Sequence, residues 1–182
     1  MRYAGISAGW MPYVVALVSC FVMAGCSPRY DWRTVSLGDG RVRAILPDKP
    51  RTTERDFEFE GHAITFALTS ASVDGVLFTV GYAELPPSLQ SDASARERLV
   101  RQTQASLYQN LGVAAPAMLP AQGARFVVTG QGQDEPLRLE GLIWATDTVL
   151  IEGIVIGAVQ GWPENQVNEF LRELAPEQRP EP

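Results

Sequence analysis

The stretch TVLIEGIVIGAV, residues 148–159, constrains this chain most. Val149, Ile151, Gly153 and Val155 alternate with Leu150, Glu152, Ile154 and Ile156, so an extended strand here is largely apolar on both faces. A strand of that kind needs cover on both sides, which predicts the middle of a sheet with other layers packed above and below it.

The neighbouring elements fit such a sheet. PLRLEGLIWAT precedes the central run and joins it at Thr146-Asp147 as a hairpin. ARFVVTG is a third strand of this group, with GQGQDEP as the hairpin loop after it. Earlier in the chain, Gly38-Asp39-Gly40-Arg41 reads as a tight turn, because Asp and Gly tolerate positive φ. RVRAILP follows, with Val42, Ala44 and Leu46 on one face and Pro47 as its end. HAITFAL and GVLFTVGY form two more strands around Asp74-Gly75, with Ser70 to Val73 either in the loop or in the strand.

Two helices interrupt the strands. SDASARERLVRQTQASLYQNLG predicts a helix with Ser94 and Glu97 as a capping box and Gly112 as its stop. Leu99, Thr103, Leu107 and Leu111 form one row, and Val100, Gln104 and Tyr108 the next, a stripe suited to core packing. The last helix starts at Pro163, buries Val167, Phe170, Leu171 and Leu174, and ends at Pro176. Strands, helix, strands, helix make the fold class α+β: an antiparallel sheet of about six strands with helices packed on its faces.

The amino terminus has a different character. Arg2 is its sole charge before Arg29, and Tyr13 to Ala24 is an apolar run shorter than the roughly 20 residues a membrane span needs. A basic start, an apolar run of this length and a small-residue exit predict a secretory signal. Met23-Ala24-Gly25-Cys26 resembles the bacterial lipobox, with Met23 where the family usually has Leu. The resemblance implies a signal peptide over 1–25, cleavage between Gly25 and Cys26, and acylation of Cys26. Two or more acyl chains hold a protein stably on a membrane. Ser27 in the next position implies sorting to the outer membrane, the domain facing the periplasm. Residues 26–30 then form a short acylated tether, 31–175 a single α+β domain, and 176–182 a frayed tail.

Cleavage after Gly25 leaves 157 of the 182 residues and a net charge of −7, against −6 for the whole chain. An acidic domain without a Lys/Arg run is a poor partner for nucleic acid. Cys20 leaves with the signal and Cys26 carries lipid, so the domain is expected to hold by burial without a disulfide. His62 is the only histidine, and neither a metal-ligand spacing nor a G-x-S-x-G elbow accompanies it. No metal, no cofactor and no catalytic set is therefore expected. Glu58 and Glu60 lie on one face of an extended segment opposite Phe57 and Phe59. Trp144 and Trp162 are the candidate contact residues for a partner, and PDKP and ELPPSL the candidate recognition loops.

RVRAILPDKP and VLFTVGYAELP resemble the proline-terminated strands of the PsbP-like fold, and the long helix, two-stranded return and terminal helix follow in that fold's order. The resemblance covers roughly Trp32 to Leu174. It implies a twisted antiparallel sheet with helices on both faces and a non-catalytic accessory role. The expected function is a lipid-anchored, periplasm-facing interaction module with an envelope protein as partner. A carrier of a small apolar ligand, held between sheet and helix, is the alternative; a hydrolase built on His62 is a distant third.

Overall fold

A computed structural model describes residues 29–174. Cys26, the cleavage site after Gly25, the Pro176 stop and the tail lie outside the described residues.

Among the described residues eight strands form two sheets. β1 (Arg33–Leu37) and β2 (Val42–Leu46) make a two-stranded antiparallel hairpin. The main sheet contains β3 (Arg51–Phe59), β4 (His62–Val73), β5 (Val76–Glu84), β6 (Phe126–Gln131), β7 (Pro136–Ala145) and β8 (Val149–Ala158), in the spatial order β3-β4-β5-β8-β7-β6. Every pairing is antiparallel. After β5 the chain passes through α1 (Pro87–Gln90) and α2 (Ala93–Asn110) to the far edge, then works back through β6 and β7 so that β8 closes beside β5. The doubly apolar stretch is thus a central strand, as its pattern predicts.

Two cores lie on opposite faces of the main sheet. On one face Leu99, Val100 and Tyr108 of α2 pack with Phe126, Ile143 and Leu150. On the other, Val167, Phe170, Leu171 and Leu174 of α3 (Glu164–Leu174) meet Phe78, Val80, Leu142 and Val155, with Ala44 and Leu46 of the hairpin beside them. Phe78 and Phe170 meet edge to face with centroids 5.5 Å apart, and Tyr30 and Trp32 approach the same Phe78 ring. The chain is therefore held to the domain from its first described residues.

Turn chemistry sets the registers. Glu60-Gly61 and Asp74-Gly75 are two-residue turns with positive φ at both positions, the type I′ geometry that matches strand twist. Gly112, at φ +68, ends α2: Val113 N–H reaches the Tyr108 carbonyl and Gly112 N–H that of Gln109, a complete Schellman closure.

Several expectations need correction. Ser70 to Val73 extend β4 rather than lengthen its loop. RVRAILP supplies β2, which belongs to the small hairpin rather than the main sheet. The sixth strand of the main sheet is instead β3, an edge strand exposed from Arg51 to Asp56 and therefore without an apolar alternation to reveal it. Ser94 lies inside α2; the cap is Asp92, whose Oδ1 accepts from Ala95 N–H at 2.9 Å. Pro163 stands one residue before α3, its carbonyl accepting the first helical bond from Val167 N–H.

Candidate functional site

The α2 face of the sheet is unevenly covered. The helix lies over β7, and beyond it β8, β5 and β4 are less fully covered on that side. A cavity of about 650 Å³ lies there between α2 and the sheet, a size that suits a small molecule. Phe66 and Leu68 of β4, Leu77 of β5 and Ile154 and Ile156 of β8 form its apolar wall, and Thr103, Ser106 and Leu107 of α2 its roof. Leu77, 39% exposed, stands at its outer end.

One acidic side chain enters this cavity from the sheet. Glu152 sits in the middle of β8 and is 6% exposed. Burial pushes its carboxyl up to about 7, from the 4.5 of an ordinary glutamate. Its register partner on β5 is Gly81, and that glycine makes room for the carboxylate. The other charged lining residues, Arg55, Asp56 and Glu58, all belong to the exposed edge strand β3. Arg55 pairs with Phe66 and shares its face, whereas Asp56 and Glu58 alternate to the opposite face. The lining residues from α2 carry no charge.

Such an arrangement offers a small molecule an apolar wall and one polar contact. A protonated carboxyl in an apolar cavity can donate and accept a hydrogen bond, and its ionised form can pair with a cation. The lining residues supply no nucleophile-base pair to go with it. The sequence holds one signal of this site, a lone acid in an otherwise apolar strand; periodicity counts it as a single polar exception and goes no further.

His62 has a hydroxyl neighbour: Ser88 Oγ lies 3.4 Å from Nδ1 and 3.3 Å from Nε2. Near-equal distances to both nitrogens mean that the oxygen is aligned with neither lone pair, so the pair lacks the geometry of a nucleophile and its base. The nearby Glu60 carboxylate is held by the Arg98 guanidinium, at 2.7 and 2.9 Å, which lowers its pKa and leaves it no role orienting the imidazole. Glu60 also lies in a turn, so it does not line up with Glu58 along a strand face. Among the described residues no group of three His, Cys, Asp or Glu side chains is placed to hold a metal ion.

Trp144 is 9% exposed and packs into the core on the α3 face, which leaves it almost no surface for a partner. Trp162 is half-buried just before α3, with the Arg138 guanidinium 5.1 Å from its ring centre. The loops are tied down as well. Pro47 of PDKP is buried and accepts from Asp31 N–H at 2.9 Å; only Asp48 and Lys49 face solvent fully. In ELPPSL, Leu85 is buried, its N–H bonds the Thr148 carbonyl, and the following residues enter α1.

A buried charge cluster joins the far side of the sheet to α3. Glu140 of β7, 1% exposed, is flanked by Arg125 and Arg138, and Glu164 and Asn168 of α3 complete the group. Each charge has an opposite charge beside it, although Arg138 Nε and Glu140 Oε1 make no hydrogen bond, and the cluster clasps the helix to the sheet.

No helix among the described residues is long and apolar enough to cross a membrane. Compared with family models, with curated proteins and with solved structures, the chain finds no match.

Proposed function

We propose that this chain is a lipid-anchored envelope protein whose domain binds a small amphipathic molecule in the cavity between α2 and the sheet. The cavity carries this reading: about 650 Å³, walled by aromatic and aliphatic side chains, with a single buried carboxyl to orient what enters. The α+β architecture accommodates the PsbP-like resemblance, whose long helix over an antiparallel sheet is the same pairing of elements. The role is non-catalytic.

The position of the tether supports the same reading. Arg29 pairs with Asp74 in the β4–β5 turn, three residues before Leu77 at the outer end of the cavity. With an acylated Cys26 only three residues before Arg29, that end of the sheet stands beside the membrane, where amphipathic molecules are concentrated.

Native mass spectrometry of the protein released from its own membranes tests this reading. A discrete small molecule, lost when Leu68→Trp fills the cavity, is expected. An empty spectrum from both forms overturns it.

An accessory role with a stoichiometric partner is the second reading. The edge strand β3 favours it, since Arg51 to Asp56 are exposed beside a backbone edge that no strand among the described residues pairs and that another strand can join. Crosslinking in intact cells that captures one dominant envelope protein through β3 supports this role, and its absence removes it.

A further inference from the structure

The chemistry of the ligand can be read from what the cavity offers it, given the ligand-binding role above. We propose that the cavity selects an amphipathic organic cation, with its apolar body against Phe66, Leu68 and Ile154 and its ammonium group on the Glu152 carboxylate.

Any occupant lying across Glu152 must answer its carboxyl. An alkyl chain alone would leave a buried polar group without a partner, at a cost of about 1–3 kcal/mol. A carboxylate ligand would bring like charge to the same desolvated place, so the two acids could share the cavity only with at least one of them protonated, a demand that grows as pH rises. An alkylammonium ion does the opposite. An amine base is far stronger than this carboxylate, so the proton resides on nitrogen and the two groups meet as an ion pair with a charge-assisted hydrogen bond. Pairing of this kind offsets the burial that makes the empty site unfavourable for a carboxylate.

Among the described residues the surroundings do not supply that cation. On β8 and β4 the residues lining the cavity around Glu152 are Phe66, Leu68, Ile154 and Ile156; on β5, Leu77 and Thr79; on β7, Leu139. From α2 come Gln102, Thr103, Ser106, Leu107 and Asn110. None of these is charged. Arg55 shares the face from the exposed edge strand, but β4 and β5 lie between it and β8, too far for it to neutralise the carboxylate. Asp56 and Glu58 stand on that strand too, pointing to its other face.

Hexylammonium, hexanol and hexanoate are suitable probes, titrated calorimetrically into the full chain in a bulky-headed detergent at pH 6 and pH 8. The Glu152→Gln variant of the same chain serves as the reference that cancels partition into micelles. For the unaltered chain, hexylammonium is expected to bind most tightly and to gain about tenfold between pH 6 and pH 8, because binding expels one proton from a carboxyl titrating near 7. Hexanoate is expected to bind least. In Glu152→Gln, the pH step and the preference for the ammonium over the alcohol should both vanish. Hexanol binding as well as hexylammonium at both pH values would overturn the cation while leaving the cavity as a binding site. A pH step that survives in Glu152→Gln would overturn the pairing with Glu152. No binding of any probe would overturn the ligand-binding reading with it.

Discussion

Gly81 and Glu152 face each other across β5 and β8, and the carboxylate occupies the space that a side chain on Gly81 would take. A Cβ at Gly81 would stand 2.8 Å from Glu152 Oε1, and closer still to Glu152 Cγ and to the Phe66 ring. Gly81→Ala therefore forces both side chains to move within a packed wall. The expected cost is about 1–3 kcal/mol in urea unfolding, together with weaker binding of any cavity ligand. Unchanged stability would mean that the wall yields freely and that glycine is not required at this position.

The same carboxyl makes stability depend on pH in a definite direction. Folding raises the Glu152 pKa, so between about 4.5 and about 7 the native state holds a proton that the unfolded state has released. Stability from this group then falls as pH rises through that window and levels off above it. The shift corresponds to about 3 kcal/mol at one pH unit per 1.4 kcal/mol. Glu152→Gln removes the ionisation, so the variant should gain roughly 2–3 kcal/mol on the unaltered chain at pH 8 and nothing at pH 4. Parallel denaturation curves for both proteins across pH 4–8 measure it. A constant difference would show that Glu152 is solvated in the folded state.

Much of this fold is legible in the sequence because its signals are local. The alternation of Val149 to Ile156 places β8 at the centre, the row Val167, Phe170, Leu171 and Leu174 gives the buried face of α3, and Gly112 marks the end of α2. Where tertiary context decides, local signals fail. β3 has no alternation from Arg51 to Asp56 because an edge strand has almost nothing to bury. β2 has a clean alternation, but its apolar face packs under α3 in a separate hairpin, and periodicity cannot say which sheet a strand joins. The cavity is still less visible. It depends on Gly81 lying opposite Glu152 and on α2 sitting towards β7, and both follow from pairings between residues far apart in sequence.

The anchor has its own test. Cys26 closes the sequence Met23-Ala24-Gly25-Cys26, and acylation requires its sulfur. Cys26→Ser should leave an uncleaved precursor that takes up no labelled palmitate, while the domain keeps its melting behaviour because its described core begins at Tyr30. Palmitate labelling of the variant at the level of the unaltered protein would remove the lipobox from the account.

Glu140 separates a structural acid from the one in the cavity. Both are buried in adjacent strands, but Glu140 has Arg125 Nε at 2.7 Å and the Arg138 guanidinium on its other oxygen. Glu140→Ala leaves two partly solvated arginines with Glu164 as their remaining partner and should cost about 2–3 kcal/mol, less than the penalty for stranding a fully buried charge. Arg125→Ala should cost nearer 1 kcal/mol, since that side chain is partly solvated and Arg138 still answers the carboxylate. Replacing Glu140 by Leu and Arg138 by Met together should recover most of the larger loss, because an apolar pair carries no desolvation penalty. Urea unfolding of the three variants decides the point. If Glu140→Ala fell within 1 kcal/mol of the unaltered chain, the cluster would be a bystander, and the hold on α3 would rest on Phe170 and its apolar neighbours alone.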